Sequence, residues 1–395
     1  MPEQEQYIPE ELGLAQKKTG GVKVGKNKTA PSAEVAEGQE PSAEDSEILP
    51  WTQEEEKRIE ELSLQAKSSS QEGKEKEANQ ILLQIQTMVE AKEQQLEEER
   101  QSEILKDLPE QYGAQKAILE KAGILEKLSS GELGVKGIDN VEYAFPTLAE
   151  INERIKEKAE ILKTKTEQGF TELLIVPFGM KLDTLIEKYG QVILKHHKEG
   201  KLFATKKDPT DKDQPLALDT KQPVYAWDGY KNADTEGKLV YYPKEFTKEN
   251  HQGKTKRELL QEEKQGFHVM LVEDLPNIPR EGKGVETSGR KQLEAKQTPN
   301  QYLEELQTQT EYQNEVGQTP EDQIAYAIYY LEQHNQVIDD YAGNGSASYQ
   351  VGAYFPDSDH VPYGYWNRDD QQAGLDRYNP TFQYSSIGAR AGVRI

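Results

Sequence analysis

Ser386-Ile387-Gly388-Ala389-Arg390-Ala391-Gly392-Val393-Arg394-Ile395 alternates apolar or small residues with arginine and glycine. Successive side chains of a strand point to opposite faces, so Ala389, Ala391, Val393 and Ile395 share one face while Arg390, Gly392 and Arg394 share the other. The spacing predicts a strand running to the last residue. Upstream of it, residues 333–395 contain no lysine and no glutamate, although the preceding chain is crowded with both. Tyr341, Tyr349, Tyr354, Tyr363, Tyr365, Trp366, Tyr378 and Tyr384 stand there instead, among Asp, Asn, Ser, Gly and Arg. Tyrosine and tryptophan give rigid contact area at low entropy cost and the small polar residues give adaptable hydrogen bonds, a composition suited to binding.

Further outward, Thr319-Pro320 and Thr298-Pro299 each place Thr at an N-cap and Pro at the first helical position. The first pair opens a helix whose Ile324, Ile328 and Leu331 face a core. Phe267 to Val272 and Leu173 to Phe178 read as buried strands, the latter ended near a sheet edge by Pro177. Val224 to Trp227 and Leu239 to Tyr242 read as a hairpin-like pair, and Thr255 with Glu258 caps a helix. A helix with Leu182, Leu185, Ile186, Tyr189 and Val192 on one face precedes them. Thr147 with Glu150 caps another, with Ile151, Ile155, Ala159 and Leu162 as its stripe. Gly131, Gly134 and Gly137 read as a loop after a short helix, Gly113 to Leu128. Thr52 with Glu55 begins two helices around a hinge at Ser68 to Gly73. Residues 1–50 hold too few apolar residues to offset ordering entropy and are expected to be disordered.

The expected class is therefore α+β, with a disordered segment over 1–50, a helical spacer over 51–130, an α+β region over 131–295 and a terminal region over 296–395. The hydrophobic residues are 34% of the chain. Recounted with glycine in place of tyrosine they make about 36%, below the roughly 45–50% of a typical globular chain, so part of the protein is expected not to pack. A net charge of −23 argues against general affinity for nucleic acid or anionic membranes. The absence of cysteine removes disulfides, thiolate nucleophiles and iron–sulfur clusters. No signal-like opening and no long apolar run are found, which reads as a soluble, cytoplasmic protein without membrane insertion.

Thr319 to His334, Tyr363 to Gln372 and Ser386 to Ile395 together resemble the end of a C-type-lectin-like fold, in the variant shared by formylglycine-generating proteins and the variable proteins of diversity-generating retroelements. Tyr112 to Gly123, Gly134 to Pro146 and Gly169 to Gly179 resemble uncharacterised proteins of candidate-phylum bacteria, which implies no activity. A formylglycine-generating enzyme works through cysteine, which is lacking here. Calcium-dependent sugar-binding lectins carry Trp-Asn-Asp, whereas Trp366-Asn367 is followed by Arg368. The retroelement resemblance implies a fixed scaffold displaying varied residues. Templated mutagenesis of adenines in Asn codons ending in a pyrimidine cannot produce Lys or Glu, in keeping with their absence at such positions.

The candidate ligand-binding surface is Tyr363, Tyr365, Asn367, Asp369, Asp370, Gln372, Tyr378, Asn379 and Tyr384, facing a protein or glycan; the competing reading is that these tyrosines only pack a β-rich core. No catalytic residue, cofactor or metal is expected. His196-His197 reads as a solvated helix end, and Asp339, Asp340, Asp357 and Asp359 as solvated turns rather than a calcium loop. Two rivals remain: self-association or tethering through residues 51–128, and an enzyme holding phosphate in the basic loop 279–291, which lacks the order of a P-loop.

Overall fold

The protein is described from a computed structural model covering residues 22–23, 48–49, 51–104, 107–206, 210–342 and 345–395. The disorder expected over 1–50 lies outside these residues, apart from Val22–Lys23, which pairs antiparallel with Ile48–Leu49. The chain divides into two compact units, Met1–Glu103 and Ile104–Ile395.

In the first unit, helix α1 (Gln53–Gln71) opens on the capping box, where Glu55 Oε2 accepts from the Thr52 backbone N–H at 2.8 Å. Glu72 to Lys74 form the hinge to α2 (Glu75–Ile104). The two helices fold back on each other along Trp51, Ile59, Leu62 and Ile85. Lys92 closes the seam, its Nζ 3.1 Å from Glu55 Oε2 and above the Trp51 ring.

The second unit is α+β. In chain order its main elements are α3 (Leu108–Lys121), α4 (Leu148–Glu157), α5 (Ala159–Glu167), β1 (Phe170–Val176), α6 (Leu182–Lys198), β2 (Val224–Ala226), α7 (Lys256–Glu263), β3 (His268–Glu273), α8 (Pro299–Thr308), β4 (Val316–Gly317), α9 (Pro320–His334), β5 (Ala347–Tyr349), β6 (Val361–Asn367), β7 (Gln372–Tyr378), β8 (Ile387–Ala389) and β9 (Ala391–Arg394). One antiparallel sheet has the order β4-β9-β3-β1, with Leu271 of β3 between Val393 and Leu173. Pro177 follows β1, which lies at the edge, as the proline implies. The second sheet has the order β8-β5-β6-β7-β2, parallel at its two outer pairings and antiparallel within. Helix α9 packs on β1 of one sheet and β6 of the other. Every residue from Pro320 to Leu331 is buried; residues 324–331 are accordingly apolar or aromatic on all sides, while the first turn buries Glu321, Asp322 and Gln323.

Several expectations are corrected. The closing segment is two strands: β8 lies in the second sheet, β9 in the first, and Arg390 stands between them. Its side chain is buried, held by Asp339 and the Leu275 and Pro276 carbonyls. Val224–Ala226 and Val240–Tyr241 are not a hairpin. The former pairs with β7; the latter pairs with Lys254–Thr255 and Ala353–Tyr354. The segment between them is anchored by buried Tyr230, Ala233 and Asp234, so it does not return the chain beside itself. Gly134 lies in a strand, Leu133–Lys136, at the centre of a three-stranded sheet, where the Tyr143 carbonyl leaves no room for a Cβ. The short helix expected from Gly113 is α3, which starts at Leu108 and stops at Lys121. The stripe after Thr147 is shared by two helices broken at Lys158, whose Nζ reaches the Arg394 carbonyl at 3.0 Å. His196 is buried, not solvated; its Nδ1 lies 3.0 Å from the Val192 carbonyl.

Candidate binding surface

The register of the second sheet decides which tail residues meet. β6 and β7 pair so that Tyr363 faces Asp376, Tyr365 faces Gly374 and Asn367 faces Gln372. Cross-strand partners share a face, and the pairing continues outward from Tyr363 to Tyr349 and from Gly374 to Tyr225. One face of the sheet thus carries Tyr349, Tyr363, Tyr365, Asn367, Gln372 and Asp376. The other carries Gly364, Trp366, Ala373 and Leu375, all buried, with Gly364 pressed against the Gln323 side chain of α9. Trp366, although part of the aromatic-rich tail, belongs to the core.

The tyrosines of this face form one continuous layer, from Tyr349, which is fully buried in the core, through Tyr341, Tyr363, Tyr365 and Tyr378, which are partly buried against that core, to exposed Tyr384. Tyr363 and Tyr365 stack at 5.3 Å between centroids with an interplanar angle of 21°. Tyr349 and Tyr378 each meet Tyr363 at about right angles or tilted, at 6.2 and 6.0 Å. Tyr341 meets Tyr365 edge-on at 5.6 Å, and Tyr384 meets Tyr378 at 5.0 Å, their hydroxyls hydrogen-bonded. Offset and edge-to-face contacts of this kind are the favourable aromatic geometries. Gly374 makes the layer possible at Tyr365, because a Cβ there would enter that ring. Burial, first, and then the neighbouring phenols and Asp376 push the Tyr363 hydroxyl well above its ordinary range; Tyr365 is likewise raised, and burial pushes Tyr378 up to about 12.

Of the nine predicted residues, Tyr363, Tyr365, Asn367 and Gln372 lie on this face and Tyr378 and Tyr384 extend it. Tyr363, Tyr365 and Tyr378 are half-buried, while Tyr384 is 46% exposed. Asn367, Asp369 and Asp370 form the β6–β7 turn: Asn367 Oδ1 accepts from the Asp369 and Asp370 N–H groups at 2.9 and 3.2 Å. Asn379 is used locally, accepting from the Thr381 backbone at 2.9 Å. Sequence reasoning left out Tyr225, Asp376 and Phe382, the last 57% exposed against Tyr378. Period two from Tyr378 would have found Asp376; nothing local marks Tyr225, which arrives by a parallel pairing from far upstream.

The other candidates are committed elsewhere. Asp339 and Asp340 are buried, not solvated turns, and pair with Arg390 and Arg368: Asp339 Oδ1 is 2.6 Å from Arg390 Nη2 and Asp340 Oδ1 is 2.8 Å from Arg368 Nε. Asp359 accepts from the Tyr354 hydroxyl at 2.6 Å, and Asp357 lies 3.3 Å from Lys248 Nζ. In the basic loop, Arg290 is buried, donating to both Glu315 oxygens at 2.7 and 2.8 Å, and Lys291 is paired with Glu294. Arg280 donates to the Ser385 and Tyr341 carbonyls. Arg290 is thus neutralised inside the protein and Arg280 is bound to backbone carbonyls, whereas Lys283 and Lys291 are exposed. Among the described residues no group of three or more His, Asp or Glu is placed to hold a metal, and no helix is long and apolar enough to cross a membrane. Compared with known proteins, the chain matches no family model, no characterised protein and no solved structure.

Proposed function

We propose that the second unit is a non-enzymatic binding module on a C-type-lectin-like scaffold, and that its tyrosine layer contacts a protein or glycan. The observation that carries this reading is the contiguous layer Tyr341–Tyr365–Tyr363–Tyr378–Tyr384, edged by Asn367, Gln372, Asp376 and the Asp369–Asp370 turn. Large aromatic surface beside small polar groups is the composition of a paratope. The scaffold half of the reading is supported by the antiparallel pairing of β3 with the closing strand β9, and by α8, α9 and strands β5 to β8 of the second sheet lying between them in the chain.

On this reading the displayed residues are diversified as in variable proteins of diversity-generating retroelements, in a cytoplasmic protein whose first unit provides self-association. Leu64 and Leu83, 61% and 62% exposed, supply apolar surface for that. The test is population sequencing of the gene segment encoding residues 339–395. Substitutions concentrated at the codons of Tyr363, Tyr365, Asn367, Asp369, Asp370 and Gln372, and confined to template adenines, are expected. An invariant segment refutes diversification and leaves a binder of fixed specificity.

A further inference from the structure

Three titratable side chains from three elements meet in the interior of the second unit. Lys256, the first residue of α7, has its Nζ 2.7 Å from Asp234 Oδ2 and 2.7 Å from Glu321 Oε1, the second residue of α9. All three side chains are 0% exposed. Nζ also donates to the Met180 carbonyl at 2.9 Å and lies under the rings of Phe178 and Tyr241, at 5.3 and 5.8 Å. One ammonium thus stands between two carboxylates where water is excluded, and two oxygens, Asp234 Oδ1 and Glu321 Oε2, have no hydrogen-bond partner.

As a structural ion pair this arrangement is poor. Burying charge is costly even when paired, the two carboxylates leave one negative charge in excess, and the ammonium sits at the positive end of the α7 dipole. Buried polar atoms without partners are uncommon enough to require a reason. A chemical reason is available. A lysine amine held against a carboxyl group beside a second carboxylate has the parts needed for amide formation.

We propose that Lys256 and Asp234 condense into an intramolecular isopeptide bond, with Glu321 as the catalytic acid–base. Burial opposes the charge on Lys256 while the two carboxylates hold it, so the condensation begins with transfer of one proton from Nζ to Asp234 Oδ1, which gives the amine and carboxylic acid that amide formation requires. Nζ attacks Asp234 Cγ. Oδ2, which already accepts from the Leu182 N–H at 2.8 Å at the start of α6, becomes the oxyanion and is stabilised by that donor. Glu321 takes a proton from Nζ and returns it to Oδ1, which leaves as water. The N–C bond forms, the C–O bond breaks, and ammonium plus carboxylate become amide plus water with no other reactant. Fixed geometry supplies the effective concentration that the reaction lacks in solution. In the product the amide oxygen accepts from Leu182 and the single remaining N–H faces Glu321, while the contact with the Met180 carbonyl is given up. Tyr241, whose hydroxyl donates to Glu321 Oε1 at 2.7 Å, keeps that carboxylate oriented.

Mass spectrometry of the intact, denatured full chain tests this. The product is about 18 Da lighter than its sequence, one water, and peptide mapping gives a branched peptide joining Lys256 to Asp234. In Asp234→Asn the leaving group is ammonia, so the deficit becomes about 17 Da. Glu321→Gln retains its full mass when folded. A wild-type mass equal to that of the sequence overturns the proposal, whatever the variants do. So does a deficit that stays at about 18 Da in Asp234→Asn or Lys256→Met, because the dehydration then lies elsewhere.

Discussion

Arg390→Met removes the cation at the point where the closing segment passes from one sheet to the other. In the wild type Arg390 Nη2 is 2.6 Å from Asp339 Oδ1 and 2.8 Å from the Pro276 carbonyl, and Nη1 donates to Leu275 O. Methionine fills most of the volume but strands a carboxylate that keeps only the Gln323 donor, at 2.9 Å. Breaking a buried pair from one side costs about 3–5 kcal/mol. At about 2 °C per kcal/mol for a large domain, the melting temperature falls by roughly 6–10 °C. The loss depends on pH. Burial raises the Asp339 carboxyl above its ordinary value, and Arg390 is the largest influence opposing that rise. Without Arg390 the folded value climbs further. A raised folded value means a stabilising contribution complete below the unfolded value and lost as pH rises through the folded one. The deficit of Arg390→Met therefore grows from the acid range toward neutrality. Urea unfolding followed by circular dichroism at about pH 5 and about pH 8 measures it, the gap between variant and wild type being smaller at the lower pH. Asp339→Asn combined with Arg390→Met removes both charges and recovers part of the loss. A single-variant cost below about 1 kcal/mol, or a double variant no more stable than Arg390→Met, refutes the argument that an orphaned charge dominates.

The stacked pair in the tyrosine layer is expected to be energetically coupled: a double-mutant cycle of Tyr363→Ala and Tyr365→Ala gives about 0.5–1.5 kcal/mol in chemical denaturation, and a value near zero means the rings only lie side by side. Gly374→Val drives a side chain into the Tyr365 ring; a destabilisation of about 1–3 kcal/mol and an altered near-ultraviolet dichroism are expected, and an unchanged spectrum refutes the contact. Burial raises the phenols of Tyr349, Tyr363 and Tyr365. Their stabilising contribution is complete below the unfolded value of about 10 and is lost as pH rises from there through the folded values, so stability falls above about pH 10. Ultraviolet titration then shows a class of tyrosines that ionises only on unfolding; a single transition at the ordinary value contradicts the packed layer.

Local chemistry in the sequence reached the helix starts reliably. Thr52, Thr147, Thr255, Thr298 and Thr319 all cap as their spacing implied, since the donor and acceptor lie within three residues of each other. The apolar run at Leu173 to Val176 was equally legible because burial on both faces leaves no choice of residue. What composition could not reveal was partnership. Arg290 read as part of a basic loop and Arg390 only as one face of a strand, yet both are buried against carboxylates, Glu315 and Asp339, that are distant in sequence or lie in a different element. Val224 to Ala226 looked bound for its neighbour at Val240, but the pairing with β7 crosses about 150 residues that no local pattern records. For the candidate surface, alternation placed Tyr363, Tyr365 and Asn367 together, whereas the contribution of Tyr225 depended on that same long-range pairing.

The passage of residues 387–394 from one sheet into the other also bears on biosynthesis. β8 is the outer strand of one sheet, and β9 is an inner strand of the other, between β3 and β4. Until these residues emerge from the ribosome, β3 has an open edge and β5 lacks its outer partner, although every helix among the described residues has been made. Pairings of such long sequence separation form late and slowly, leaving unpaired edges to attract other chains. A frameshift or stop within the codons for 387–394 opens both sheets at once.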